Sequence, residues 1–149
     1  MVNFREKMLS FRHLCYKNGY LFAAFLIPVI LMGIAYISFG IYPFGGRSVL
    51  SLDLNAQYVF YFDYVHDVIG NGESLMYSWS RNLSGEFMGI IGYYLASPFN
   101  ILVWIFPRSM ITEGLLTMML AKFGACGVTF ALFAHKSQKL SKTTAALFA

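Results

Sequence analysis

Charged residues are scarce in this chain of 149 residues: they make up 12%, against about a quarter in an average soluble domain. Hydrophobic residues make up 58% and aromatic residues 18%, so there is too little polar side chain to cover a water-exposed surface. This argues against a water-soluble enzyme, a nucleic-acid-binding module and a disordered tail. The composition instead indicates an integral membrane protein.

Cysteine is rare and metal-binding motifs are absent. Cys15 lies in a basic flank and Cys126 in a predicted membrane helix, so no disulfide between them is expected. The sequence contains no HExxH, GxGxxG, Walker or CxxC motif, and its histidines are scattered. Asp53, Asp63 and Asp67 lack the spacing of metal ligands. We therefore predict no metal cofactor.

A long uncharged run begins near the N-terminus. No charged residue lies between Lys17 and Arg47, and residues 20–42 are almost wholly apolar. At about 1.5 Å per residue they reach about 35 Å, enough to cross a hydrocarbon core of about 30 Å. Pro28 is expected to kink this helix. Residues 1–19 are strongly basic, so the positive-inside rule predicts a cytoplasmic N-terminus and an uncleaved signal anchor.

Residues 43–110 are predicted to form a structured extracellular loop. Five of the seven acids lie in its first part, residues 43–86, and the loop follows a helix that runs from inside to outside. Apolar residues recur at helical spacing from Leu52 to Ile69, which predicts an amphipathic helix that lies on the outer leaflet or against other helices. Glycine and asparagine at positions 70–72 are expected to end that helix.

The uncharged segment 87–106 leaves two topologies open. It is long enough to span the bilayer, but Pro98 and Asn100 lie near its middle. Proline removes a backbone donor and asparagine is costly in lipid. The alternative is a re-entrant or interfacial pair of short helices around Pro98. The basic run 135–142 favours this alternative, because the run then lies in the cytoplasm after a second span, 111–134.

The expected fold is therefore all-α: a polytopic α-helical integral membrane protein in the cell membrane. Within the second span, Gly124, Gly127 and Ala131 predict close helix packing. Residues 143–149 turn apolar again and resemble the beginning of a further helix. We expect the natural protein to continue beyond them.

Two ionisable residues are candidate functional groups. Asp53 opens the predicted amphipathic helix, where an acid complements the helix dipole and caps free N–H groups. Alternatively, its carboxylate takes a proton from an acceptor hydroxyl, with Gln57 one turn later orienting the carboxylate or the substrate. Lys122 lies inside the second span. It either snorkels or pairs with a carboxylate, or it binds the phosphate of a lipid carrier.

Three separated segments resemble the N-terminal part of the bacterial YfhO-type membrane proteins, which are polytopic glycosyltransferases of the GT-C class. They are residues 42–58 (YPFGGRSVLSLDLNAQY), 77–85 (YSWSRNLSG) and 93–100 (YYLASPFN). The segments agree with the family in order and spacing. The resemblance covers nearly all of this chain but only the beginning of the family's usual length.

The resemblance implies a mechanism. GT-C enzymes transfer a sugar from a polyprenyl-phosphate carrier outside the membrane, and their base is typically an acid in the first external loop, where Asp53 lies. The implied partners are the bilayer, the lipid-linked donor and a cell-envelope acceptor such as teichoic acid in Gram-positive bacteria, but no nucleic acid. Some members of the class use a divalent metal. A fragment of this length is expected to be inactive alone.

Substrate binding needs positive charge at the leaving phosphate, which Arg81, Arg47 or Lys122 could supply. It also needs rings that stack on sugar or line a lipid groove. Each ring has a plainer explanation as a membrane-interface anchor. Two other functions remain open, a transporter or flippase of lipid-linked sugars and a non-catalytic assembly subunit. The candidate substrate-binding residues are Gln57, Tyr58, Arg81, Tyr93, Tyr94 and Lys122.

Overall fold

The computed structural model describes residues 4–79 and 85–149, and these are mostly helical. In this described part, two helical segments are long and apolar enough to cross a membrane, Asn18–Ser38 and Arg108–Lys136. Only 6% of the first segment's apolar window is buried and 33% of the second's. The remaining apolar surface is of the kind that lipid covers. The predicted all-α membrane fold is confirmed.

Short elements separate the two long helices. The longest of them is α2, and the only paired strands among the described residues are two antiparallel segments in which Tyr77 faces Glu86. The elements in chain order are α1 (Phe4–Ser38), a first π-turn (Leu54–Tyr58), α2 (Val59–Asn71), β1 (Tyr77–Ser78), β2 (Gly85–Glu86), α3 (Met88–Ile90), a second π-turn (Ile91–Leu95), a 3₁₀ turn (Pro98–Asn100), α4 (Ile101–Ile105), a 3₁₀ turn (Arg108–Met110), α5 (Ile111–Lys136) and α6 (Lys142–Leu147).

The chain forms two compact units. The first contains the described residues up to Ile34 together with Leu120–Ala149, and the second is Ala35–Met119. Both long helices therefore contribute a part to each unit. The first unit carries Lys122, and the second carries Asp53 and the segment between the long helices.

Small residues form the core of the first unit. Ala24 and Ala131 are fully buried, and α1 and α5 approach so closely that added side-chain atoms would collide. A Cβ atom on Gly127 would lie 2.1 Å from the Ala24 carbonyl oxygen, and one on Gly124 would lie 2.5 Å from the Phe25 ring. The close helix packing predicted from these small residues is confirmed.

Aromatic and branched side chains form the core of the second unit. One face of α2 packs against the residues that follow β2 and against the start of α5. Helix α2 is therefore amphipathic, as the spacing of its apolar residues predicts. Its packed face is apolar, and its polar residues lie on the other side. The buried members of this core are Phe62, Tyr64, Val65, Phe87, Ile90, Leu95, Val103, Ile111, Leu115 and Met118.

A tight loop follows α1, which ends at Ser38 rather than at Tyr42. Gly40 turns the chain with a left-handed φ of 63°, a conformation that suits glycine. The Tyr42 N–H donates to the Arg47 carbonyl at 2.7 Å, and the Arg47 N–H donates to the Gly40 carbonyl at 3.0 Å. A Cβ atom on Gly45 would lie 2.4 Å from the Gly40 oxygen. The loop therefore closes only because both positions are glycine.

The helix expected over Leu52–Ile69 begins with the first π-turn at Leu54 and continues as α2 to Asn71. Gly72 ends it with φ 72° in the left-handed region, as its residue type predicts. The α-helical spacing of the apolar residues did not indicate that the first turn would be wider.

Segment 87–106 is a bent helix pair. Met88–Leu95 and Pro98–Ile105 meet at 95°, with the extended residue Ser97 at the break. Proline disfavours helical geometry in the residue before it, which accounts for the break. The buried Asn100 side chain donates from Nδ2 to the Tyr94 carbonyl at 3.2 Å, so the protein itself pairs this polar group. Whether the pair crosses the bilayer stays a prediction.

Candidate functional site

Asp53 immediately precedes the first π-turn, and its carboxylate is exposed. The side chain makes no capping hydrogen bond to that turn. Leu52, the residue before it, has a left-handed φ of 47°, which is unusual for a bulky side chain and typical of functional or otherwise constrained positions. Hydrogen bonding within the helix start therefore does not explain this acid.

Gln57 and Tyr58 lie in the first π-turn, and Tyr93 and Tyr94 lie in the second. Single π-turns are rare in proteins overall, but those that occur are often found at functional sites. The extra residue in the turn redirects the side chains around it. Four of the six residues predicted to bind substrate thus fall on two such turns. Both turns belong to the second unit.

Tyrosine rings join the two π-turns. The Tyr58 and Tyr94 ring centroids lie 4.5 Å apart, and Tyr61 of α2 lies 5.7 Å from Tyr94. Tyr93 contacts Tyr94 edge-on at 4.3 Å and is itself 78% exposed. The structure therefore brings three predicted residues, Tyr58, Tyr93 and Tyr94, into one aromatic cluster with a solvent-exposed ring.

A cleft of about 680 Å³ lies along α2 in the second unit, within the range of small-molecule sites. Its accessible lining includes Gln57, Phe60, Tyr61, Asp63, Asp67 and Arg108, and its buried lining includes Tyr64, Ser78 and Phe87. Among the predicted site residues that the structure describes, Gln57 lines this cleft. Asp53, Tyr58, Tyr93 and Tyr94 do not.

Sequence reasoning did not find the charged group of this cleft. Arg108 binds Asp63 through Nε and Nη2, each 2.5 Å from one carboxylate oxygen, and binds Asp67 through Nη1 at 2.6 Å. The two acids lie one turn apart on the same face of α2, a spacing that signals a shared cation. It does not reveal which of the chain's eleven basic residues supplies it.

The buried side of the cleft is held by Tyr64. Its hydroxyl donates to the Ser74 carbonyl oxygen at 2.8 Å and lies 3.1 Å from the Tyr77 carbonyl oxygen. Its ring packs edge-on against Phe87, with centroids 4.5 Å apart. These contacts attach the chain between α2 and β1 to the helix, so the wall that contains Ser78 is fixed.

Tyr42, the first residue of the family-like segment 42–58, is tied to α5. Its hydroxyl donates to the Glu113 carboxylate at 2.9 Å. This hydrogen bond and the negative charge of Glu113 raise the pKa of the Tyr42 phenol above its ordinary value of 10.0, with a smaller contribution from burial. The hydrogen bond from the phenol to Glu113 attaches the loop to α5.

The three predicted cations are placed differently. Arg47 is exposed in the loop that follows α1. Lys122 is half-buried on α5 in the first unit and makes no hydrogen bond or ion pair with another described residue. Arg81 lies outside the described residues. Within residues 4–79 and 85–149 no three His, Cys, Asp or Glu side chains group as metal ligands, and the absence of a metal cofactor stays a prediction.

The two apolar helices, the acid in the segment that follows the first of them and the polar cleft together define a helical membrane protein with a structured segment between its candidate spans. The profile of one family, the bacterial membrane protein YfhO, matches residues 23–149. The chain belongs to this family, which indicates a glycosyltransferase-like membrane protein. Comparison with curated proteins and with solved structures gives no match.

Proposed function

We propose that this chain forms the acid-bearing part of a GT-C-type membrane glycosyltransferase. The enzyme transfers a sugar from a polyprenyl-phosphate carrier to an extracellular cell-envelope acceptor such as teichoic acid. Membership of the YfhO family supports the class of protein. The proposal puts the N-terminus in the cytoplasm and the segment between the candidate spans outside.

The observation that supports the proposal most directly is the exposure of Asp53 and its lack of a capping hydrogen bond. Its carboxylate is exposed, lies shortly after the first candidate span and has no hydrogen bond to the helix start that follows. A carboxylate without such a partner can accept a proton from a substrate. An acid that served only to cap the turn would bind its free N–H groups.

In the proposed reaction Asp53 removes the proton from the acceptor hydroxyl. The acceptor oxygen forms a bond to the anomeric carbon of the donor sugar, while the bond from that carbon to the carrier phosphate oxygen breaks. The electron pair leaves with the phosphate, and the configuration at the anomeric carbon inverts. The proton stays on Asp53 until solvent takes it.

The remaining predicted residues have binding roles in this proposal. Gln57, one turn after Asp53, orients an acceptor hydroxyl through its amide group. The exposed ring of Tyr93, held by Tyr94, offers a surface for a sugar or a prenyl chain. One cation among Arg47, Arg81 and Lys122 is proposed to bind the carrier phosphate, since a cation stabilises a leaving phosphate.

Replacing Asp53 by Asn tests this proposal. The amide keeps the size of the side chain but cannot act as a base, so transfer from a panel of polyprenyl-phosphate hexoses should fall by about 10²-fold or more. Transfer is measured with the whole enzyme that contains this chain, in membranes that hold equal amounts of inserted protein. Glu73→Gln removes an exposed acid elsewhere in the same segment and should transfer normally. Normal transfer by Asp53→Asn removes Asp53 from the mechanism.

Transport of a lipid-linked sugar is the second candidate, and the bent helix pair favours it. Helices broken at membrane depth form substrate sites in many transporters, and Met88–Leu95 and Pro98–Ile105 meet at 95°. Reconstituted vesicles distinguish the two functions. Movement of a polyprenyl-phosphate hexose across the bilayer, with no glycosylated product in the presence of acceptor, supports transport over transfer.

A further inference from the structure

The charge of the cleft along α2 determines what it can hold. Among its described lining residues, Asp63 and Asp67 supply two negative charges and Arg108 one positive charge. Both carboxylates bind the same guanidinium, so the group keeps one net negative charge. A phosphate or another anion would be repelled there, most strongly where the lining excludes water.

One carboxylate oxygen of this group has no hydrogen-bond partner among the residues that the structure describes. Asp67 Oδ1 accepts from Arg108 Nη1 at 2.6 Å and from Asn71 Nδ2 at 3.2 Å. Asp67 Oδ2 accepts no hydrogen bond from any other residue that the structure describes. Because the ion pair and Asn71 hold the carboxylate in place, its free oxygen is a fixed acceptor for a ligand O–H group.

Aromatic rings form the apolar part of the same cleft. Phe60 is 63% exposed and Tyr61 half-buried, and both lie on α2 between the accessible Gln57 and Asp63. Fixed acceptors beside an accessible ring suit a ligand with hydroxyl groups at its edge and an apolar ring face. An uncharged sugar ring has both properties.

We infer that this cleft binds an uncharged saccharide ring, whose hydroxyl groups donate to Asp67 and whose face packs on Phe60 and Tyr61. This inference adds a sugar-binding site to the proposed function. It rests on that function for the identity of the molecule, donor or acceptor, to which the ring belongs. If the ring belongs to the lipid-linked donor, the phosphate bonded to its anomeric carbon points away from Asp63 and Asp67, because the net negative charge of the cleft disfavours it there. Arg108 is a positioning residue that holds both acids.

Binding to the purified full chain tests the inference directly. The chain is held in an amine-oxide detergent, because maltoside headgroups are themselves saccharides, and glucose, galactose and N-acetylglucosamine are titrated by saturation-transfer NMR. At least one hexose should bind with a dissociation constant of about 1–10 mM, as expected for so small a ligand. Inorganic phosphate and methylammonium serve as anionic and cationic probes and should bind more weakly.

Asp67→Asn should weaken hexose binding by about 10-fold, the usual effect of losing a hydrogen bond to a charged group. Phe60→Ala is the second variant: its side chain is exposed, so the fold is not at risk, and binding should weaken several-fold. Glu73→Gln is the charge-matched control and should bind as wild type. No hexose binding up to about 50 mM, tighter binding of phosphate or methylammonium, or unchanged binding by both cleft variants overturns the inference.

Two further measurements separate this inference from the proposed function. Asp53→Asn should bind hexose like the wild type, since Asp53 does not line the cleft. Hexose binding together with normal transfer by Asp53→Asn refutes the proposed base alone, and transfer without hexose binding refutes the cleft alone. Competition by a polyprenyl-phosphate hexose assigns the bound ring to the donor, and competition by an acceptor fragment assigns it to the acceptor.

Discussion

Arg108 and Asp63 are 45 residues apart in the chain and form a two-point ion pair, in which Nε and Nη2 each lie 2.5 Å from one carboxylate oxygen. A guanidinium matches a carboxylate in this parallel geometry, and an ammonium group does not. The pair connects α2 to the turn that precedes α5. It therefore holds one wall of the cleft against another.

Arg108→Lys should lower the melting temperature of the purified chain, and Arg108→Gln should lower it further. Lysine keeps the charge but loses the paired geometry, and glutamine also leaves Asp63 and Asp67 to repel each other. Both variants should weaken hexose binding as well. Arg47→Lys changes another exposed arginine of the second unit and should melt like the wild type. If Arg108→Lys has the melting temperature and the hexose affinity of the wild type, the two-point geometry of the ion pair contributes to neither stability nor binding.

Gly45→Ala should destabilise the chain by about 1–3 kcal/mol, a typical cost of overpacking. The added Cβ atom would lie 2.4 Å from the Gly40 carbonyl oxygen, and a backbone atom cannot move aside without opening the loop. The neighbouring Gly46 provides the control, since a Cβ atom there meets nothing within 4 Å. Denaturant titration in detergent measures both, and equal free energies of unfolding for the two variants would contradict the loop geometry.

Gly127→Ala should disrupt the packing of α1 on α5, because the new Cβ atom would lie 2.1 Å from the Ala24 carbonyl oxygen. Gly33→Ala is the matched control in α1, where a Cβ atom meets nothing within 4 Å. Alanine is the better helix former by about 1 kcal/mol, so this variant should be as stable as the wild type or more so. The changes in the free energy of unfolding, measured in detergent, should therefore have opposite signs for the two variants. Destabilisation by both variants would point to a general intolerance of substitution in these helices.

The predicted topology places Lys139 in the cytoplasm. A Lys139→Cys variant, made after Cys15 and Cys126 are replaced by Ser, should not react with an impermeant thiol reagent added to intact cells. Glu73→Cys in the same background is the positive control, since residue 73 is exposed and lies in the predicted external segment. External labelling of position 139 would mean that segment 87–106 crosses the bilayer.

Some of the fold can be predicted from the sequence because its causes are local. The C-terminal end of α2 follows from Gly72, and the break in segment 87–106 follows from Pro98. The close packing of α1 and α5 was predictable from Gly124 and Gly127, since small residues are what let helix backbones approach. The first π-turn was not, because apolar spacing does not distinguish it from an α-helical turn.

The candidate site also has a part that the sequence predicts and a part that only the structure reveals. Asp53 and Gln57 were identified from their position after a span and from their chemistry. The cleft was not, because its charged group joins Arg108 to acids 41 and 45 residues earlier in the chain. The spacing of Asp63 and Asp67 along α2 does not identify the cation that pairs with them.

By itself the sequence determined the bilayer as the solvent, the positions of the apolar helices and the acid after the first of them, because hydropathy, charge and backbone restriction act on neighbouring residues. The tertiary structure alone decided that Tyr58 contacts Tyr94 and that Arg108 pairs with both Asp63 and Asp67. Such contacts depend on how α2 packs against segments far along the chain. Many basic residues could satisfy the same local pattern, and only the packing selects one.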